Sequence, residues 1–129
     1  MFCKNFKFGL KSERLIKPIL EKYLDINLYF TKRGHNFDFK NKEENIYIEL
    51  KTRRIYFRTF EKMIFSYYKY MYIKRNPLNK YYIVYKLLDG LYIFKYCRSK
   101  ISFGYIGATK LKNKVCFIHR KHLTHVLHN

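Results

Sequence analysis

Acidic side chains are what this sequence has least of: nine Asp and Glu stand against 28 Lys and Arg, a net charge of +19 with neutral histidines. A surface so charged attracts polyanions and steers them at long range. Nucleic acid is the expected partner ahead of an anionic membrane. AT-rich codons account for part of the excess of Lys, Ile, Asn, Tyr and Phe, but not for the shortage of acids. Long apolar runs are also missing. The best stretch, Met63 to Ile73, is short for a bilayer and carries Lys69 in its middle, so no membrane span is expected. Met1-Phe2-Cys3-Lys4 does not open a long apolar run with a small-residue cleavage site, and secretion is not expected. The three cysteines (Cys3, Cys97, Cys116) are odd in number and form no CxxC pair. They read as reduced thiols of an intracellular protein, in cytoplasm or nucleus. Repeats, low-complexity segments and Gly/Ser linkers are absent, which leaves one domain over residues 1–129.

What is present suffices for a core: 48% of residues are hydrophobic, including 14 Tyr and 12 Phe. Ser12 reads as a helix cap, followed at amphipathic spacing by Leu15, Ile16, Ile19, Leu20, Tyr23 and Leu24, with Pro18 as a kink or a late start. Asp25 to Thr31 alternates as a strand, Lys32-Arg33-Gly34 is a turn, and Asn36 to Lys40 and Asn45 to Thr52 are two strands joined by a polar run. The aromatic stretch from Thr59 to Lys74, closed by Asn76-Pro77, reads as a buried helix. Tyr81 to Cys97 is a hairpin turning at Asp89-Gly90. Ile101 to Ile106 and Val115 to Ile118 are short strands, and Arg120 to Leu127 a terminal helix. The fold class is mixed α/β or α+β, a sheet flanked by helices.

Chemistry concentrates between Asn36 and Arg54. Ile46, Ile48 and Leu50 share one face of their strand, and Tyr47, Glu49 and Lys51 the other. The register in which apolar faces meet pairs Phe39 with Ile48, Phe37 with Leu50, and Asp38 with Glu49. Side chains so opposed begin about 5 Å apart, and like charges there repel. A divalent cation resolves that repulsion, since Mg²⁺ takes carboxylate, water and phosphate oxygens. Lys51 projects from the same face, able to hold a water and to stabilise charge on a phosphate. The bland reading is a surface hairpin whose acids pair with lysines.

Asp38 and the triplet Glu49-Leu50-Lys51, within Ile46 to Arg53, resemble the signature of the PD-(D/E)xK (restriction-endonuclease-like) nuclease superfamily. Gly9 to Glu13 resembles the Gly-x-x-x-Glu start of the first helix in several members. The likeness covers about residues 8–97, leaves 98–129 as a less regular basic extension, and departs at Phe37, where the motif's proline would stand. It is similar to small Holliday-junction resolvases and to short nuclease-like proteins of large DNA viruses, which would make the chain virus-encoded and virion-associated. The resemblance implies an α-β-β-β-α-β core with a central mixed sheet. It further implies Mg²⁺, with Mn²⁺ substituting, held by Asp38, Glu49, the Leu50 carbonyl and Glu13. Glu21 is the alternative to Glu13. Lys51 would position the attacking water, and DNA would be cut to 5′-phosphate and 3′-hydroxyl ends, by a homodimer if the substrate is a junction.

Arg53, Arg54 and Arg58, with Lys62 and Lys69 along the next helix, are candidates to grip phosphates, and Lys32 and Arg33 are weaker ones. His119, His122, His125 and His128 recur every third residue after Cys116, a stripe able to bind zinc if helical, while Cys with His suggests a thiol nucleophile. Two rivals stand beside the nuclease. One is a non-catalytic DNA-binding or packaging protein on the same fold; the other is an RNA-binding protein of ribosomal type.

Overall fold

The computed structural model describes residues 2–107 and 113–126, and of residues 2–11 the backbone alone. Among the described residues the fold is mixed α+β, with two helices and nine strands in two sheets.

Helix α1 (Phe2–Leu24) begins well before Ser12, which is therefore a buried helix-interior residue and not a cap. Gly9 likewise lies inside the helix, not at its start, and the chain continues helically through Pro18. Ile16 and Leu20, four apart, are buried on its inner face, while Leu15 and Tyr23 are exposed. The helix ends at Asp25 in left-handed backbone (φ 54), a common C-terminal stop.

Strands β1 (Tyr29–Phe30), β2 (Phe39–Lys40) and β3 (Ile46–Thr52) follow, the first two much shorter than alternation suggests. The β2–β3 turn is organised by buried Asn41, whose Oδ1 accepts the N–H groups of Asn45 and Ile46 at 3.0 Å each. The stretch expected to be one long helix divides. Its first part is β4 (Lys62–Ser66), and only Tyr67–Arg75 forms helix α2. The local pattern explains this: Met63 and Phe65 are buried while Lys62 and Ile64 are exposed, a period of two. Helix α2 ends at Asn76, as Asn76-Pro77 suggests.

Strands β5 (Lys80–Leu87) and β6 (Gly90–Lys95) form the expected hairpin, but Leu87 pairs with Gly90, so the loop is Leu88-Asp89. Neither loop residue has a positive φ, and the turn is not the type I′ that Asp-Gly favours. Residues after Cys97 are not a less regular extension. They form β7 (Ile101–Ile106), β8 (Asn113–His119) and β9 (Thr124–His125). In place of the terminal helix there is one 3₁₀ turn, Arg120–His122, before β9; Leu127 lies outside the described residues.

The larger sheet has the order β1-β2-β3-β5-β6-β9, with β3 and β5 parallel and the other pairs antiparallel. The smaller is antiparallel, β4-β8-β7. Two apolar clusters cover the two faces of the larger sheet. One joins Ile16 and Leu20 of α1 to Phe39, Ile48, Leu50 and Val84. The other joins Tyr47, Ile83 and Tyr85 to Tyr70 and Ile73 of α2 and to Phe65, Cys116 and Ile118 of the smaller sheet. Strand β3 lies between β2 and β5 and is covered on both sides, an enclosed place to put a charge.

Candidate active site

Strand β3 alternates as expected: Ile48 and Leu50 face α1, and Tyr47 faces α2. Glu49 and Lys51 share the face of Tyr47. The register is also as expected where β2 exists, Phe39 opposite Ile48 and Lys40 opposite Tyr47. It stops at Asp38. Asp38 N–H donates to the Ile48 carbonyl at 3.0 Å, so Asp38 and Phe39 both lie opposite Ile48, as in a β-bulge. Two corrections follow. Phe37 does not pair with Leu50 but is buried on the opposite face from Phe39. Asp38 is not a ladder partner of Glu49; its Oδ2 instead accepts the Leu50 N–H at 2.7 Å.

Glu49 is buried, 4% exposed. An ionised carboxylate removed from water needs partners, and two lysines provide them. Lys69 of α2 donates to Glu49 Oε2 and to the Asn36 carbonyl, and Lys51 Nζ lies 3.9 Å from Oε1. These cations do not outweigh burial. Burial first, and the Asp38 charge second, push the Glu49 carboxyl up to about 7. Glu13 behaves alike: burial, the Asp38 charge, a hydrogen bond to the Asp38 side chain and the Glu49 charge raise it to about 7. Burial also holds the Lys51 ammonium below its ordinary range. Three acids from α1, the start of β2, and β3 therefore feel one another's charge, although the chain has only nine.

The donor chemistry fits a hard divalent ion, since carboxylate oxygens are what Mg²⁺ takes. The arrangement is not a finished cage. Among the described residues no group of three or more His, Cys, Asp or Glu is gathered closely enough to hold a metal. Asp38 raises the Glu13 carboxyl, Asp38 is held by the Leu50 N–H, and Lys69 holds Glu49. To ligate, Glu13 would release its proton and Lys69 would leave Oε2. Leu50 meets Asp38 through its N–H. Glu21 is a structural residue, paired with Lys17 at 3.3 Å and accepting the Leu28 N–H at 2.9 Å.

A cleft of about 410 Å³ opens beside the acids, lined by Glu13 and Asp38 together with Arg14, Lys32, Arg33 and His35. Gly34, at φ +86, lets the β1–β2 connection turn beneath it. Lys32 and Arg33, the weaker candidates by sequence, thus line the cleft with Glu13 and Asp38, while Lys69 meets Glu49 directly. Arg14 and His35 escaped notice because neither belongs to a motif. His35 Nδ1 accepts the Phe37 N–H at 3.0 Å, and its ring stacks on Tyr47 at 5.3 Å, so Nε2 is the nitrogen left to donate.

The other candidates lie elsewhere. Arg53, Arg54 and Arg58 are exposed beyond β3. Lys62 is not on a helix with Lys69; it sits in β4, its ammonium 5.9 Å from the Phe117 ring centre. The histidine stripe loses its helix. His119 accepts the Lys121 N–H at Nδ1 and meets Glu61 through Nε2 at 2.9 Å, while His125 stacks on Tyr92; His128 lies outside the described residues. Cys116 is buried, and burial pushes its thiol up to about 11, the reverse of an activated nucleophile. Among the described residues no helix is long and apolar enough to cross a membrane. Compared with protein-family models, curated proteins and solved structures, the chain matches none.

Proposed function

We propose that this protein is a metal-dependent endodeoxyribonuclease of the PD-(D/E)xK kind, hydrolysing DNA phosphodiester bonds with Mg²⁺ or Mn²⁺ at Asp38, Glu49 and Glu13. The observation that carries the reading is the shared electrostatics of these three acids. In a chain of net charge +19, two of them, Glu13 and Glu49, are pushed to about 7, and the charges of Glu49 and Asp38 act on the shifted lysine Lys51. Such a cluster costs stability and is expected where chemistry requires it. The α-β-β-β-α-β order supports it too, once β4 is treated as an insertion between β3 and α2.

Water attacks phosphorus, the P–O3′ bond breaks, and the ends are 5′-phosphate and 3′-hydroxyl. A bound cation would lower the pKa of that water and stabilise the charge gathered on phosphate. The chain's own residues do the rest. Lys51, on the face of Glu49, holds the water and takes or gives its proton more readily for its lowered pKa. Lys32, Arg33 and Arg14, in the cleft with Glu13 and Asp38, draw the phosphates in and fix the strand's position. Lys69, freed from Glu49, offers one further ammonium.

The test is nicking of supercoiled plasmid with Mg²⁺ or Mn²⁺ against EDTA, for the wild type and Asp38→Ala. Metal-dependent nicking that falls by about 100-fold or more in the variant is expected. Equal nicking by both sinks the proposal. A second reading, a DNA-binding or packaging protein on a nuclease-like fold, is favoured by the contact between Lys69 and Glu49, in which an internal cation stands in for the metal. In that case neither protein nicks, and both bind DNA.

A further inference from the structure

All nine acids lie at or before Asp89; residues 90–129 contain eight Lys and Arg and no Asp or Glu. This stretch supplies β7 and β8, two of the three strands of the smaller sheet. On the side of that sheet that packs against α2, its edge carries an aromatic cluster that the core does not fully cover. Phe103 is 36% exposed and Tyr105 61%. The Phe103 ring meets Tyr70 edge-on at 5.0 Å and Tyr67 at 6.3 Å. Cations are layered onto these rings. The Arg98 guanidinium is 4.7 Å from the Phe103 ring centre, and Lys114 Nζ is 4.7 Å from that of Tyr67. Tyr105 and Lys114 are cross-strand partners. Among the described residues neither Arg98 nor Lys114 has a carboxylate within ion-pair distance.

We propose that this face, centred on Phe103 and Tyr105 with Arg98 and Lys114, is a binding surface for single-stranded DNA, whose bases stack on the exposed rings while its phosphates meet the two cations. An exposed ring, Tyr105, flanked by cations without carboxylate partners is what an unpaired strand needs, because each nucleotide brings one π-face and one negative charge. Base-paired DNA hides its ring faces and has less use for Tyr105. Charge also decides against pairing of this face with the same face of a second copy, which would press Arg98 and Lys114 on one against the same cations on the other, with no acid between. The surface is separate from the carboxylate cluster and stands whether or not the chain cuts. If it does cut, its substrate carries an unpaired segment.

Binding of a fluorescein-labelled oligo-dT of about 15 nucleotides, and of a duplex of equal length, is measured by anisotropy in EDTA, so that cleavage plays no part. Tyr105→Ala, at an exposed position, is expected to weaken dT binding by about 5-fold or more and duplex binding by less than about 2-fold. Arg98→Ala with Lys114→Ala is expected to weaken dT binding and to lower the slope of log affinity against log salt by about 1.4, the signature of two lost phosphate contacts. The proposal is overturned if Tyr105→Ala leaves dT binding unchanged or weakens strand and duplex alike. It is equally overturned if light scattering finds a wild-type dimer that Tyr105→Ala dissociates, which would make the face a self-association surface.

Discussion

Glu49 is the residue on which most of the site's physics turns. Buried in the central strand, it is held by Lys69 and repelled by Asp38, and its carboxyl stands near 7. Glu13 stands there too. Between the ordinary value of 4.5 and about 7 the unfolded chain releases protons that the folded chain keeps, so stability without metal falls as pH rises through that window and levels off above it. Lys69→Met removes the Asn36 contact at every pH and, when Glu49 is ionised, its cationic partner as well. It should cost about 1.5–3 kcal/mol at pH 8 and much less at pH 5, read by urea unfolding at both pH values in EDTA. An equal loss at the two would mean that Lys69 contributes packing and not charge. Glu49 and Lys51 were legible in the sequence because alternation puts them on one face of β3, whereas the ladder position expected for Asp38 was not what formed. The bulge at Asp38 was not legible, because it arises from one carboxylate reaching the Leu50 N–H, and a side-chain contact of that kind leaves no periodic trace.

At the scale of elements, the strands of the β2–β3 hairpin and the β5–β6 hairpin were readable from alternation and turn residues, although their ends and the loop type were not. The stretch from Thr59 to Lys74 was not readable as a whole. Aromatic residues on nearly every position satisfy a helical and a strand pattern equally, and only pairing with β8, some fifty residues later, makes its first part β4. β7 and β8 were legible as segments and β9, read as helix, was not; nothing local says that β8 lies between β4 and β7. Phe65 is the hinge of that packing, fully buried in the cluster that unites α2 with both sheets and paired with Cys116. Phe65→Ala should therefore cost about 3–5 kcal/mol, measured by chemical denaturation. A cost below 1 kcal/mol would show that the smaller sheet is not joined to the core as described.

At the scale of the molecule, charge and position divide the labour. Three of the nine acids, Glu13, Asp38 and Glu49, meet around β3, and the acid-free last third forms most of a separate sheet. Net charge was readable from composition alone; its division into a carboxylate cleft and a cationic, aromatic sheet edge was not, because it depends on which strands become neighbours. Every residue named for catalysis lies before position 97, so a chain ending there keeps the whole candidate site in its sequence. It should nevertheless fail. Expressed alone, residues 1–97 are expected in the insoluble fraction, while the full chain stays soluble; a soluble, cooperatively melting fragment would refute this.

The cause is β4, inserted between β3 and α2 yet paired only with β8. During synthesis Met63 and Phe65 emerge long before residues 113–119, and until those arrive β4 offers its backbone edges and its greasy side to any passing strand. The order in which the ribosome delivers this chain thus leaves a sticky interval of some fifty residues, which β8 closes when it emerges.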